Sequence, residues 1–274
     1  MYSPTPSDWR EANRAHWDER AEVHATSAYY DLDGFRAGAD PLRAFELAEV
    51  GDVTGRTLLH LQCHIGLDTL SWARHGASRV VGLDFSPRAV ETARGLAADL
   101  GLGPERAAFV TADVYDAAEA VPEESYDIVY TGVGALCWLP DLTRWARTAA
   151  SLVAPGGFLY LAEFHPLADI LDDETGSRIT HDYFARDAWV EDTPGTYAAQ
   201  DAATRHNRRV EWQHPLGEVV SALAAAGLRL EFLHEHDVSL FRRFGCFEVR
   251  DGYYRYPADR PRIPLMYSLR AAKA

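Results

Sequence analysis

The chain has 274 residues and a net charge of −14, from 27 Lys and Arg against 41 Asp and Glu. That length suits one large domain with a core of its own, and 47% hydrophobic with 25% charged residues excludes a disordered chain. The acidic balance argues against a nucleic-acid backbone as partner, and Lys273, the only lysine, leaves no internal amine for a Schiff base or phosphate loop.

In chain order, residues 7–25 read as a polar amphipathic helix, and Asp40-Pro41 opens a second that runs to Gly51. From Thr57 short apolar runs alternate with helical stretches. Strands are predicted at 57–61, 79–83, 108–111, 126–130 and 157–163. Helices are predicted at 67–74, at 86–100 with Ser86 as N-cap and Gly101 as stop, and from Asp141 to Leu152. Segment 165–213 breaks the rhythm: Tyr183, Phe184, Trp189, Tyr197 and Trp212 are scattered among charged residues, as in a lid. A helix at 216–226 and strands at 228–233 and 265–269 follow.

Alternating strands and helices predict a Rossmann-like, doubly wound α/β fold: a seven-stranded, mostly parallel sheet with helices on both faces and a lid insertion. The chain divides into a helical cap (1–54), a ligand-binding half (55–164), a substrate lid (165–213) and a C-terminal helix with the final strands (214–274), all in one domain. The longest apolar stretch, 149–162, is broken at Pro155-Gly156-Gly157, so no membrane partner is expected. Three separated cysteines (Cys63, Cys137 and Cys246) and a polar start without a signal-peptide run predict a cytoplasmic setting.

Ligands of such sheets bind beyond the carboxyl ends of the strands. The candidate residues lie there. After strand one come Gln62, Cys63, His64, Ile65, Gly66, Leu67, Asp68 and Thr69. Strand two ends in Asp84, Phe85 and Ser86, strand three leads to Asp113 and Val114, and strand four to Thr131, Gly132, Val133 and Gly134. A tight turn lets backbone N–H groups approach a ligand. Asp84 can accept two ribose hydroxyls. Asp113 can accept an exocyclic amine while the Val114 N–H donates to a ring nitrogen. Together they describe an adenosine pocket.

In order and spacing this series resembles the class I S-adenosylmethionine-dependent methyltransferases over residues 55–165, and more weakly to the C-terminus. The resemblance implies S-adenosylmethionine as cofactor, S-adenosylhomocysteine as product, and contacts from Gln62, His64, Gly66, Asp68, Thr69, Asp84, Phe85, Ser86, Asp113, Val114, Thr131 and Gly132. The first motif departs from the family. His60 stands for its acid, Gln62 and His64 for its first two glycines, and Gly66 remains. His64 then needs a backbone that a residue with a Cβ can adopt, which shifts the ligand. Asp68, Thr131 or an N-terminal residue substitutes for the missing acid at the cofactor's amine.

Trp17, Tyr29 and Tyr30 can cover a sulfonium with aromatic faces. The spacing of His60 and His64, and of His234 and His236, lacks a second ligand pair, so no metal is predicted. Catalytic candidates are His165, directly after strand five, and His214, with His181 in the lid a third. If His165 is the base, His165→Ala lowers turnover and leaves cofactor affinity unchanged. The aromatic lid suits a planar acceptor, which points to O-methylation of a phenolic or hydroxylated natural product by in-line transfer, in a monomer or homodimer. N- or carboxyl methylation of a small metabolite stays open, as does a non-catalytic S-adenosylmethionine-binding module. A nicotinamide oxidoreductase would need Gly-x-Gly-x-x-Gly after strand one, which is absent.

Overall fold

The computed structural model describes residues 6–273. Its helices are α1 (Pro6–Ala25), α2 (Leu32–Arg36), α3 (Ala44–Val50), α4 (Leu67–Arg74), α5 (Pro87–Asp99), α6 (Ala117–Ala120), α7 (Leu142–Ser151), α8 (Pro166–Asp169) and α9 (Leu216–Ala225). Its strands are β1 (Thr57–Leu61), β2 (Arg79–Asp84), β3 (Ala107–Thr111), β4 (Tyr126–Thr131), β5 (Val153–Phe164), β6 (Trp189–Asp192), β7 (Arg208–Glu211), β8 (Arg229–His236), β9 (Glu248–Arg250), β10 (Tyr253–Arg255) and β11 (Met266–Ala272).

Seven strands form one sheet in the order β3-β2-β1-β4-β5-β11-β8. The first five are parallel, and β11 runs antiparallel between β5 and β8. The sequential order of the strands reverses between β1 and β4, which puts the switch point beside the predicted turn. Apolar side chains alternate along β1: Leu58 enters the core under α3, α4 and α5, whereas Leu59 and Leu61 enter the core under α6, α7 and α9. Burial on both faces explains the near-continuous apolar strand runs. Helix α1 straddles the sheet's edge, with Trp9 in one core and Ala21 in the other.

Two local expectations change, and one element, α2, lies outside every predicted one. The second predicted helix starts at Ala44, because Asp40 accepts the Leu42 N–H (3.0 Å) and closes a turn instead. Helix α2 had no clear periodic signal. Strand β5 begins at Val153, ahead of the Pro-Gly-Gly break, and absorbs it as a register shift against β4.

The 165–213 segment is not one lid. Ala168, Ile170 and Leu171 join Phe244, Phe247, Tyr256 and Leu265 in a small third core. The β6–β7 hairpin docks on α1 instead: Asn13 Nδ2 donates to the Val210 carbonyl and Asn13 Oδ1 accepts the Val210 N–H, both at 2.8 Å. Buried Arg20 donates to the carbonyls of His206 (2.7 Å) and Gly195 (3.2 Å) and to Asn207 Oδ1 (3.0 Å). No described helix is long and apolar enough to cross a membrane.

Candidate functional site

The β1–α4 turn keeps the shape that glycines would give it. Gln62, His64 and Gly66 have φ of 58°, 49° and 83°, all left-handed. The backbone that His64 adopts is thus left-handed, and the turn accepts the steric cost of a Cβ at two positions. At Gly66 it cannot, since a Cβ would meet Ala93 Cβ at 2.7 Å and the Phe109 ring at 2.9 Å.

Asp84 ends β2 nearly buried. Its carboxylate accepts the N–H groups of His64 (2.8 Å) and Ser86 (2.9 Å). Burial pushes it up to about 6 against those donors and the Phe85 N–H. A carboxylate has about four acceptor sites, so some capacity for a ligand hydroxyl remains. Ser86 Oγ caps α5 at the Ala89 N–H and donates to Asp18 of α1 (2.6 Å); Phe85 follows Asp84 in the same turn. Asp113 accepts the Tyr115 N–H (2.9 Å) and pairs with Arg10 of α1 (2.7 Å), while the Val114 side chain is core.

At the end of β4, Thr131 is fully buried and its Oγ1 has no partner. Beyond it, a Cβ on Gly132 would come within 3.3 Å of His60 Nε2 and 3.6 Å of Asp68 Oδ2. Arg43 reaches Asp68 at 3.3 Å and Glu46 Oε1 at 2.8 Å, and Tyr130 also donates to Glu46 (2.6 Å). Burial, helped by Arg43, holds His60 down to about 3, so it is neutral; its Nδ1 bonds to Thr69 (2.8 Å). The family's acid is thus replaced by a neutral imidazole beside an Asp68–Arg43 pair. The orphaned Thr131 hydroxyl and the Asp68–Arg43 pair beside Gly132 fit a polar ligand end with both charges.

Helix α1 roofs this edge. His24 Nδ1 shares a hydrogen bond with His64 Nε2 (2.8 Å), and His24 Nε2 meets Thr196 Oγ1 (2.6 Å). The Trp17 ring lies edge-on to His64 at 5.2 Å, Tyr30 stacks on His24 at 4.9 Å, and the Tyr30 and Tyr197 hydroxyls bond. Desolvation holds His24 and His64 down to about 2 and 3.

The catalytic candidates lie elsewhere. His165 caps α8: its Nδ1 accepts the Leu167 N–H (3.1 Å), and its Nε2 faces Glu235 at 3.1 Å. Desolvation lowers its pKa despite that carboxylate, and the lone pair a base needs is engaged. His214 Nε2 meets the Leu139 carbonyl at 2.8 Å, and its ring lines a separate cleft of about 490 Å³ with Asp141, Arg186 and Glu218. His181 packs on Trp189 in the outer loop. His234 pairs with Glu49, and His236 with Ser268. Among the described residues no His, Cys, Asp and Glu converge as metal ligands.

The lid rings also diverge. Tyr197 turns to the site, but Trp212 packs on Trp9, Tyr183 accepts the Leu216 N–H, and Phe184 and Trp189 are exposed. The hairpin instead presents Arg209 and Glu211, with Arg209 bonded to Glu191. Asp169, on α8, sits close enough to raise Glu211 electrostatically, and both act on Cys137 in the loop after β4. Asp169 is open on one side, yet desolvation pushes it up to about 6, and Glu211 up to about 7. Sequence reading missed Arg10, Asp18, His24, Arg43, Glu163, Asp169 and Glu211. Glu163 alone carried a local signal, as an acid closing an apolar strand run.

The sheet order and the strand-end acids define a class I, Rossmann-like methyltransferase fold. A family model described as a methyltransferase domain matches residues 58–157. Among curated relatives, the ubiquinone biosynthesis O-methyltransferase of Neisseria meningitidis serogroup C (strain 053442) is 32% identical over 53% of this chain and 56% of its own length. The ribosomal protein L11 methyltransferase of Azotobacter vinelandii is 30% identical over 53% of this chain and 48% of its own. This chain therefore spans about half the length of these relatives. Among solved structures, the CcbJ methyltransferase of Streptomyces caelestis is similar in fold at TM-score 0.60 and 18% identity, over 95% of this chain and 98% of its own. Over residues 58–157 the chain is similar to methyltransferase domains, and its fold is that of the class I S-adenosylmethionine-dependent methyltransferases.

Proposed function

We propose that the protein transfers a methyl group from S-adenosylmethionine to a small molecule. The observation that carries this reading is the strand-end set: Asp84 with spare acceptor capacity, Asp113 beyond β3, and an Asp68–Arg43 pair beside Gly132. Bound there, S-adenosylmethionine supplies an electrophilic methyl on a sulfonium. Asp84 would accept a ribose hydroxyl, Asp113 the adenine amine, and Asp68 and Arg43 the ammonium and carboxylate of the amino-acid end. Trp17 and Tyr30 exclude water above them.

The acceptor we favour is a hydroxyl, phenolic or aliphatic, of a natural product. Glu211, pushed up to about 7 by desolvation, is matched to take its proton near neutral pH. The charge on the hairpin supports a second reading. Two underpaired carboxylates, Glu211 and Asp169, also suit a cationic amine, which they would bind and deprotonate before attack.

Calorimetric titration with S-adenosylmethionine, S-adenosylhomocysteine and NAD tests the first step. Micromolar binding of the adenosyl ligands alone supports it, and no binding rejects it. S-Adenosylhomocysteine release with a panel of phenols, alcohols and amines then separates the acceptors. Binding without turnover on any of them favours a non-catalytic module.

A further inference from the structure

The first-motif substitutions leave one question open: what Gln62 does at a position shaped for glycine. A side chain held in left-handed backbone carries a steric cost that its contacts must offset. Gln62 makes one such contact. Its Nε2 donates to the Ala135 carbonyl at 2.9 Å, while its Oε1 is enclosed and unpartnered.

The loop it reaches is gripped from the other side. Buried Glu163, near the end of β5, accepts the N–H groups of Gly134 (2.6 Å), Ala135 (2.8 Å) and Leu136 (2.9 Å), and also that of Phe164 (2.7 Å). Trp138 Nε1 donates to the Gly134 carbonyl at 2.8 Å. Ala135 is thus held through its N–H by β5 and through its carbonyl by the β1 turn. This loop continues from Gly132, where the polar ligand end is read above.

We propose that Gln62 is a positioning residue whose amide ties the loop of residues 134–136 to the β1–α4 turn, so that both walls of the ligand cleft move as one. Glycine in its place would leave the turn unstrained but cut the tie. The two walls would then find their relative position only on binding, and affinity would fall.

Restoring the family's glycine, Gln62→Gly, separates this from mere tolerance of a strained residue. Hydrogen exchange in the unliganded protein should quicken about tenfold at the amides of residues 134–136, the loss expected of one hydrogen bond. S-Adenosylhomocysteine should bind about 5–10-fold more weakly in calorimetry, with a melting temperature that does not fall. Gln62→Met keeps the Cβ in place and removes both polar atoms, so it should match the glycine variant in exchange and affinity; it is decisive if the glycine variant fails to fold. Unchanged exchange at 134–136, or equal or tighter binding by Gln62→Gly, overturns the proposal. The affinity arm rests on the methyltransferase reading. If the unaltered protein binds no S-adenosylhomocysteine, that reading fails, and the exchange arm alone decides the tie.

Discussion

Asp84 is 6% exposed, with a carboxyl that burial pushes up to about 6. Its folded pKa is raised, so it holds a proton below about 6 and is a full acceptor only above that. Affinity for S-adenosylhomocysteine should therefore be level above pH 7 and fall towards pH 5, by at most about tenfold per unit. Asp84→Asn, which can accept only one of the two N–H groups, should weaken binding about 10–100-fold and flatten that profile. A profile unaffected by the substitution would remove Asp84 from the ligand. His165 and Glu211 make an opposed pair. His165→Ala deletes a helix cap and should lower stability by about 1 kcal/mol with turnover nearly intact. Glu211→Gln should cut turnover about 10²-fold or more with stability little changed. The reverse pattern in a steady-state assay would restore the histidine as base.

At the scale of elements, α1 and the β6–β7 hairpin form one unit through polar contacts. Arg20 is 1% exposed and donates to two carbonyls and to Asn207, so Arg20→Ala would strand buried acceptors. A loss of about 2–4 kcal/mol is expected, read as a melting temperature lower by roughly 5–10 °C. Limited proteolysis should then cut first within 195–207. This docking was not legible in the sequence. The buried stripe of α1 (Trp9, Asn13, His16, Arg20 and His24) keeps helical spacing but is mostly polar, so apolar periodicity hides it. The strands of the sheet were legible because they are buried on both faces. The placement of Asp84 and Asp113 at strand ends was legible because the apolar runs before them fix where β2 and β3 stop. The lid rings misled: whether an aromatic side chain in an irregular segment faces a cavity, a core or solvent is decided by partners distant in sequence, as Trp212 shows by packing on Trp9.

For the whole molecule, pH response follows from groups buried in the less charged form. His16, His24, His60 and His64 are held down to about 3, 2, 3 and 3, chiefly by desolvation. They bind protons only when unfolded, so stability is lost as pH falls below about 6.5. Glu163 and Glu211, up to about 7, and Asp84 and Asp169, up to about 6, act in the opposite sense. They bind protons more readily when folded and offset part of the loss until they are saturated. The melting temperature should thus decline gently from pH 7 to 5 and collapse below about 4.5. A melting temperature that climbs steadily to pH 4 would contradict this burial pattern.

The roof over the site also dictates an order of assembly. Asn13 and Arg20 are held by Val210 and His206, whose positions lie 197 and 186 residues further along the chain. At about 5–20 residues per second, α1 has been made roughly 10–40 s before those partners exist. The earliest helix is therefore among the last to lock. A nascent chain halted before β7 already holds every strand-end acid, yet it has no closed cleft to offer a ligand.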